Sequence, residues 1–239
     1  RRVFIFTIFV TYVWQLYKSY TKYMNKTLHI AVNLVLSIVK NNKKGEFMTG
    51  EIKLSNPAPL GLLGFAMTTL LLNLHNAGFY ENSSMIVAMG IFYGGIAQLI
   101  AGLIEFKQGK TFGGVAFVSY GSFWLSLCAI WLLPKTGLIA APDHLAMGFY
   151  LFVWGLFTFF MFVGTLKSNR ISQCVFGTLT LLFALLAIEN FLGNAGAESA
   201  MKTFKIMAGY TGIVCAGFAF YDAIAQILSP IYDKKFPLT

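Results

Sequence analysis

The side chains able to do chemistry in this chain are few, and most of them interrupt long apolar runs. Gln98, Glu189, Asn190 and Asp222 lie inside such runs, and Glu105 and His75 stand near the ends of two others. An ionisable or amide group at membrane depth needs a partner, and it marks a solute or proton path by default. Asp222 and Glu189 are candidates for a proton relay, with a hydrogen bond (Asp222) and a water-facing position (Glu189) as plainer accounts. Gln98 is expected first to hydrogen-bond across helices and second to line a pore, and Asn190 extends the polar path. His75, beside Asn73 and Asn76, draws an anion when protonated, although a lone histidine is more often hydrogen-bonded structure. A solvated helix end accounts for Glu105 as well as a site does.

A second constellation is Ser55-Asn56-Pro57-Ala58-Pro59-Leu60-Gly61-Leu62. Asn caps a helix, and proline in the first turn loses no donor that the helix would have used. Capping alone explains the segment. The alternative is a mouth in which the partial positive charge of a helix N-terminus attracts a carboxylate.

No HExxH, P-loop, paired-carboxylate cleft or nucleophile elbow occurs, so the sequence supports no enzyme and calls for no cofactor or metal. Cys128, Cys174 and Cys215 each fall in an apolar run, which reads as buried small residues rather than disulfides or zinc ligands.

The elements that must position these residues follow from composition. Of 239 residues, 57% are hydrophobic and 11% charged, against about 25% charged in soluble domains. That excludes a disordered chain, a coiled coil and an ordinary soluble enzyme, and makes the lipid bilayer the main solvent. A span takes about 20 apolar residues. The hydropathy predicts helices at 58–79, 84–105, 112–133, 145–167, 171–193 and 203–228. Long apolar runs without alternation select helices over a barrel. Gly90, Gly94, Gln98 and Gly102 recur every four residues, as a close helix contact requires. Lys53, Lys107, Lys110, Lys167, Arg170, Lys234 and Lys235 fall on one side, and Lys135, Lys202 and Lys205 on the other. That asymmetry places both termini in the cytoplasm.

Residues 1–47 read differently. They hold eight Lys/Arg and one acid, so most of the net charge of +9 sits there and no basic face suited to nucleic acid remains in the body. Lys44-Gly45-Glu46 can be encoded by a purine-rich stretch like a ribosome-binding site, a short distance before Met48. The expectation is that residues 1–47 are a non-native upstream extension and that 48–239 form the six-helix domain. A signal peptide or an extra anchor is the rival account.

Asn56-Pro57-Ala58-Pro59-Leu60-Gly61-Leu62 resembles the signature of the acetate uptake transporter family, the family of the bacterial succinate–acetate permeases. Five further blocks share the likeness: Met67-Thr68-Thr69, Asn73 to Asn76, Met89 to Gln98, Ser119 to Trp124, and Leu182 to Ile188. The resemblance implies an all-α integral membrane protein of the bacterial cytoplasmic (inner) membrane. It implies six transmembrane helices per subunit and a homo-hexameric ring with one solute path in each subunit. It implies uptake of acetate, with succinate and related short carboxylates, coupled to protons, or channel-like permeation as the alternative. The narrowing of the path then matches Phe65, Tyr120 and Leu179, and the position whose size tunes substrate choice matches Ala219. Phe65, Tyr120 and Leu179 lie seven or eight residues into helices one, three and five. At 1.5 Å per residue they share a depth of roughly 10–12 Å.

Two departures stand out. Lys110 replaces Asn in the family's Gly-Asn-Thr-Phe-Gly, and Glu189 stands where the bacterial permease has Gly, which bears on proton coupling and substrate range. A carboxylate in an apolar narrowing loses hydration at several kcal/mol or more, on the order of the cost of an unpaired buried charge. The Tyr120 hydroxyl is the expected donor there. The other route is to carry the acid neutral, and an acid with a pKa near 4.3 is only about 0.2% neutral at pH 7.

Overall fold

The computed structural model describes residues 54–81 and 83–237, so the reading of residues 1–47 as an extension lies outside the described part. All described elements belong to one unit, Leu54–Thr239, and all of them are helical. Six helices are long and apolar enough to cross a membrane. They are α1 (Ala58–Asn76), α2 (Ser84–Lys107), α3 (Thr111–Leu132), α4 (His144–Thr165), α5 (Arg170–Asn194) and α6 (Glu198–Tyr232). A 3₁₀ turn, Leu133–Thr136, extends α3. Short connections make successive helices antiparallel, so α1, α3 and α5 begin at one end of the bundle, here the near end, and α2, α4 and α6 begin at the far end.

The helix limits have local causes. Asp143 caps α4, accepting from the Ala146 N–H at 2.7 Å, and Asn169 caps α5, accepting from the Ser172 N–H at 2.9 Å. Each satisfies an orphan donor worth about 1 kcal/mol. Gly78, at φ 92°, turns the chain after α1 and stops it at Asn76 rather than at the expected 79. α6 runs 35 residues, beyond the expected 203–228 at both ends. At 1.5 Å per residue that is about 52 Å, longer than the roughly 30 Å apolar layer.

α2 is not a plain α-helix. Gly90–Ala97 form π turns between two α segments. A four-residue repeat drifts by about 40° per step on a 3.6-residue helix. The wider π turns offset this drift and hold Gly90, Gly94 and Gln98 on one side. The stripe is a packing face, as expected. A Cβ at Gly94 would come 2.9 Å from Trp124 and 3.0 Å from Thr68. A Cβ on Gly64 of α1 would come 2.6 Å from the Tyr93 carbonyl oxygen of α2.

Packing runs α3–α2–α1–α6–α5–α4, and α3 closes the circle onto α4 and α5 through rings. Phe123 stands 5.2 Å, centroid to centroid, from both Trp154 and Phe183. Buried residues including Phe65, Tyr120, Phe123, Trp124, Leu179, Phe183 and Ala219 fill the axis. Large apolar side chains such as Phe92, Phe152 and Phe160 face outward, as a protein in lipid allows.

Candidate functional site

Two cavities open along the axis, one toward each end. The near-end cavity is about 150 Å³ and is lined by Phe65, Tyr120 and Leu179 at its apolar depth, and by Gln98, Glu105, Asp222 and Gln226. The far-end cavity is about 220 Å³ and carries His75, Asn76, Glu189, Asn190 and Lys205 around an apolar floor that includes Phe123. On α1, Phe65 faces the first cavity and Leu72 the second, and on α5 Leu179 and Leu186 do the same. Seven residues span about 10 Å of helix. The barrier between the cavities is therefore thin, and it is apolar and aromatic.

Phe65, Tyr120 and Leu179 come together as the sequence expects for their depth. The Phe65 and Tyr120 ring centroids are 6.0 Å apart, and all three residues are buried. Ala219 is fully buried in the same apolar cluster and does not line the cavity.

The Tyr120 hydroxyl differs from the expected free donor. It donates to Thr158 Oγ1 at 3.0 Å, and Thr158 donates in turn to the Trp154 carbonyl at 2.7 Å. With the direction of that chain set by the carbonyl, the phenol oxygen keeps only acceptor capacity. Gln98 is corrected in the same sense. Its Nε2 donates within its own helix to the Gly94 carbonyl at 2.6 Å rather than across helices. Its Oε1 is buried without a protein partner, and the residue lines the near-end cavity. The Gly94 carbonyl fixes the amide's orientation, since only the NH₂ can donate to it.

The signature segment joins this cavity. Asn56 Oδ1 accepts from the Ala58 N–H at 3.2 Å, and Asn56 Nδ2 donates to Gln226 Oε1 at 3.0 Å. Gln226 Nε2 then donates to Asp222 Oδ1 at 3.0 Å. Gln108 Nε2 holds the carbonyls of Leu54 and Ser55 at 3.2 and 2.8 Å. Pro57 and Pro59 flank the first turn, with Ala58 the first helical residue and Gly61 buried beneath Phe117, whose ring would meet any Cβ there. Leu60 is exposed and Leu62 packs against the core cluster. The segment thus holds the start of α1 and fixes the rim beside Asp222.

Glu105 is buried at 4% exposure, not solvated as a helix end would be. The departure Lys110 supplies its counter-charge at 3.6 Å, Nζ to Oε1. No hydrogen bond accompanies that contact at Oε1.

At the far end, Asn190 Nδ2 donates to Glu189 Oε2 at 2.7 Å and to the Leu186 carbonyl at 2.9 Å. Its Oδ1 faces His144 Nδ1 at 3.4 Å. His75 Nδ1 lies 2.9 Å from the Tyr80 carbonyl, which can only accept, so that nitrogen carries the hydrogen. Tyr80 lies in the loop outside the spans, donates its hydroxyl to the Leu71 carbonyl at 2.5 Å, and has its phenol pushed above the usual tyrosine range by burial.

Gln226, Thr158 and His144 carry no role in the sequence reading, and Lys205 enters it only as a charge that orients the bundle. Thr158 left one trace, a hydroxyl in an apolar run. The others lie near helix ends, where polar residues are ordinary.

Six membrane-length helices, with a cavity toward each end, define a multi-pass membrane protein. The chain belongs to the GPR1/FUN34/yaaH family, whose model matches residues 41–235. It is 57% identical over 185 residues to the succinate-acetate/proton symporter SatP of Escherichia coli K12, covering 77% of this chain and 95% of that protein. It is 42% identical over 183 residues to ammonia transport outward protein 2 of Saccharomyces cerevisiae, covering 73% of this chain and 62% of that protein. A solved structure described as the bacterial acetate channel SatP matches with a TM-score of 0.74 and 53% identity, over 78% of this chain and 100% of that one. These named relatives are a symporter, a transport protein and a channel, none of them an enzyme.

Proposed function

We propose that residues 48–239 carry acetate, with succinate and related short carboxylates, into the cell together with protons, and that Phe65, Tyr120 and Leu179 form the narrowing. The near end is then cytoplasmic, in keeping with the seven-to-three Lys/Arg asymmetry. The family resemblance adds a ring of six subunits, each with its own path.

The observation that carries proton coupling is the polarity of the free groups at the barrier. Gln98 Oε1 and the Tyr120 oxygen have acceptor capacity left over, while the Tyr120 hydrogen is committed to Thr158. A carboxylate meets these two acceptors and, at most, the second hydrogen of the Gln98 amide. A protonated acid brings an O–H that either oxygen can accept. Carrying the acid neutral also removes most of the several kcal/mol that a carboxylate loses on desolvation. Asp222, at the near-end rim and hydrogen-bonded to Gln226, is positioned to take the proton as the acid reaches the cytoplasmic side.

Channel-like permeation is the second reading. The thinness of the barrier favours it, since opening a gap needs only rotamer shifts of three side chains. Labelled acetate uptake into liposomes holding the purified protein separates the two. Symport gives transient accumulation above the outside concentration when the outside is acid. Uptake that follows the acetate gradient alone supports the channel and removes proton coupling.

A further inference from the structure

We infer that Glu189 makes the far-end cavity favour singly charged carboxylates over dianions, an inference that rests on the transport reading above. The cavity, about 220 Å³, gathers one ionisable group from α1 (His75), one from α5 (Glu189) and one from α6 (Lys205), and no other ionisable side chain lines it among the described residues. α4 adds His144 just outside the lining, facing Asn190.

Glu189 is held in place. Asn190 Nδ2 donates to its Oε2 at 2.7 Å, and the same nitrogen is tied to the Leu186 carbonyl at 2.9 Å. His144 Nδ1, donating to Asn190 Oδ1 at 3.4 Å, fixes the other side of the amide. The carboxylate therefore stays in the cavity wall instead of swinging out to bulk water. Lys205 and His144 are its charged or chargeable neighbours.

Charge then sets the selection. The wall sets Lys205 against Glu189, with His75 and His144 beside them. Lys205 alone would give the entrance one positive charge and draw a dianion about twice as strongly as a monoanion. Glu189 cancels that charge. A monoanion such as acetate then meets a neutral polar cavity, whereas a dianion loses an attraction twice as large. A dicarboxylate enters best with one of its carboxyls protonated, so its uptake brings a proton to the entrance before the apolar barrier is reached.

The test uses the full chain in liposomes and compares initial uptake of labelled acetate and labelled succinate at neutral pH. Glu189→Gln keeps an oxygen for the Asn190 donor and removes the charge. We expect it to raise the succinate-to-acetate rate ratio by about threefold to tenfold, one charge–charge term across a small cavity. The gain shrinks as salt is raised, because screening acts on charge and not on shape. Glu189→Asp keeps the charge and should keep the wild-type ratio. An unchanged ratio in Glu189→Gln, or equal loss of both acids in the Gln and Asp variants, overturns the inference while leaving acetate transport standing. A wild-type protein that moves neither acid overturns the transport reading itself, and this inference with it.

Discussion

The far-end cavity offers a solute Lys205, two histidines at or beside its wall and a carboxylate clipped by Asn190. The near-end cavity offers the unpartnered Gln98 oxygen, Glu105 and Asp222, with Lys110 at its edge. One side sets Lys205 against a single acid, and the other holds two acids and the Gln98 acceptor. The proposed symport receives an anion at the first set and releases the acid and its proton at the second. On that proposal the direction of the path comes from the polar residues, which differ between the ends, and not from the barrier, which is apolar on both sides.

The barrier is where that contrast breaks most completely. Phe65→Ala, Tyr120→Ala or Leu179→Ala removes the separation between the two cavities, and each should raise lactate uptake relative to acetate by about tenfold or more. Truncating a large core side chain costs about 2–5 kcal/mol of stability, so rates must be normalised to folded protein in the membrane. Tyr120→Phe keeps the ring and removes the phenol oxygen. It should lower acetate flux about threefold to tenfold without admitting lactate, as loss of a single hydrogen-bonding group of about 0.7–1.4 kcal/mol implies. Unchanged selectivity in all three Ala variants would place the narrowing elsewhere.

The near-end rim sharpens the contrast through Asp222. Asp222→Asn keeps an oxygen for the Gln226 donor and cannot exchange a proton. If Asp222 takes the proton, accumulation driven by an acid exterior falls several-fold, while acetate exchange at equal pH on both sides persists. The sign follows from the acid itself. Each unit of rising external pH lowers the neutral fraction of a carboxylic acid about tenfold in this range. Equal loss of accumulation and exchange would assign Asp222 a structural part only.

Much of this was legible in the sequence, for a physical reason. Hydropathy reports transfer to lipid, so all six spans could be read from residue type, whereas Phe65, Tyr120 and Leu179 were picked out by the family resemblance and only their shared depth followed from 1.5 Å steps. What could not be read depends on geometry beyond periodicity. The π turns of Gly90–Ala97 point Gln98 Nε2 back at Gly94, and no propensity encodes that choice. The Asn56–Gln226 bond joins residues 170 positions apart, so the sequence offered capping or anion attraction for Asn56 and no link to Asp222. Glu105 looked like a solvated helix end because its burial comes from α3. Gly113 packs so closely on its carboxyl that no Cβ would fit there. α6 outran its expected limits because Glu198 and Lys202 continue the helix into water, where hydropathy carries no signal.

The smallest expected effect concerns the rim that supports Asp222. Asn56 accepts from the first helical N–H of α1 at 3.2 Å and donates to Gln226 at 3.0 Å, and both contacts are solvent-exposed. Asn56→Ala removes a cap, which costs about 1 kcal/mol, and frees Gln226. Gln226→Ala removes the shared side chain from both neighbours. A double-mutant cycle on thermal unfolding in detergent isolates their coupling, which for an exposed neutral hydrogen bond should be about 0.5–1 kcal/mol. The same cycle on proton-driven acetate accumulation should show coupling of the same sign, because Gln226 passes the loss to Asp222 through its 3.0 Å bond. Coupling in stability without coupling in accumulation would confine the signature segment to holding α1 against α6. The near-end chemistry would then rest on Asp222 and Gln98 alone.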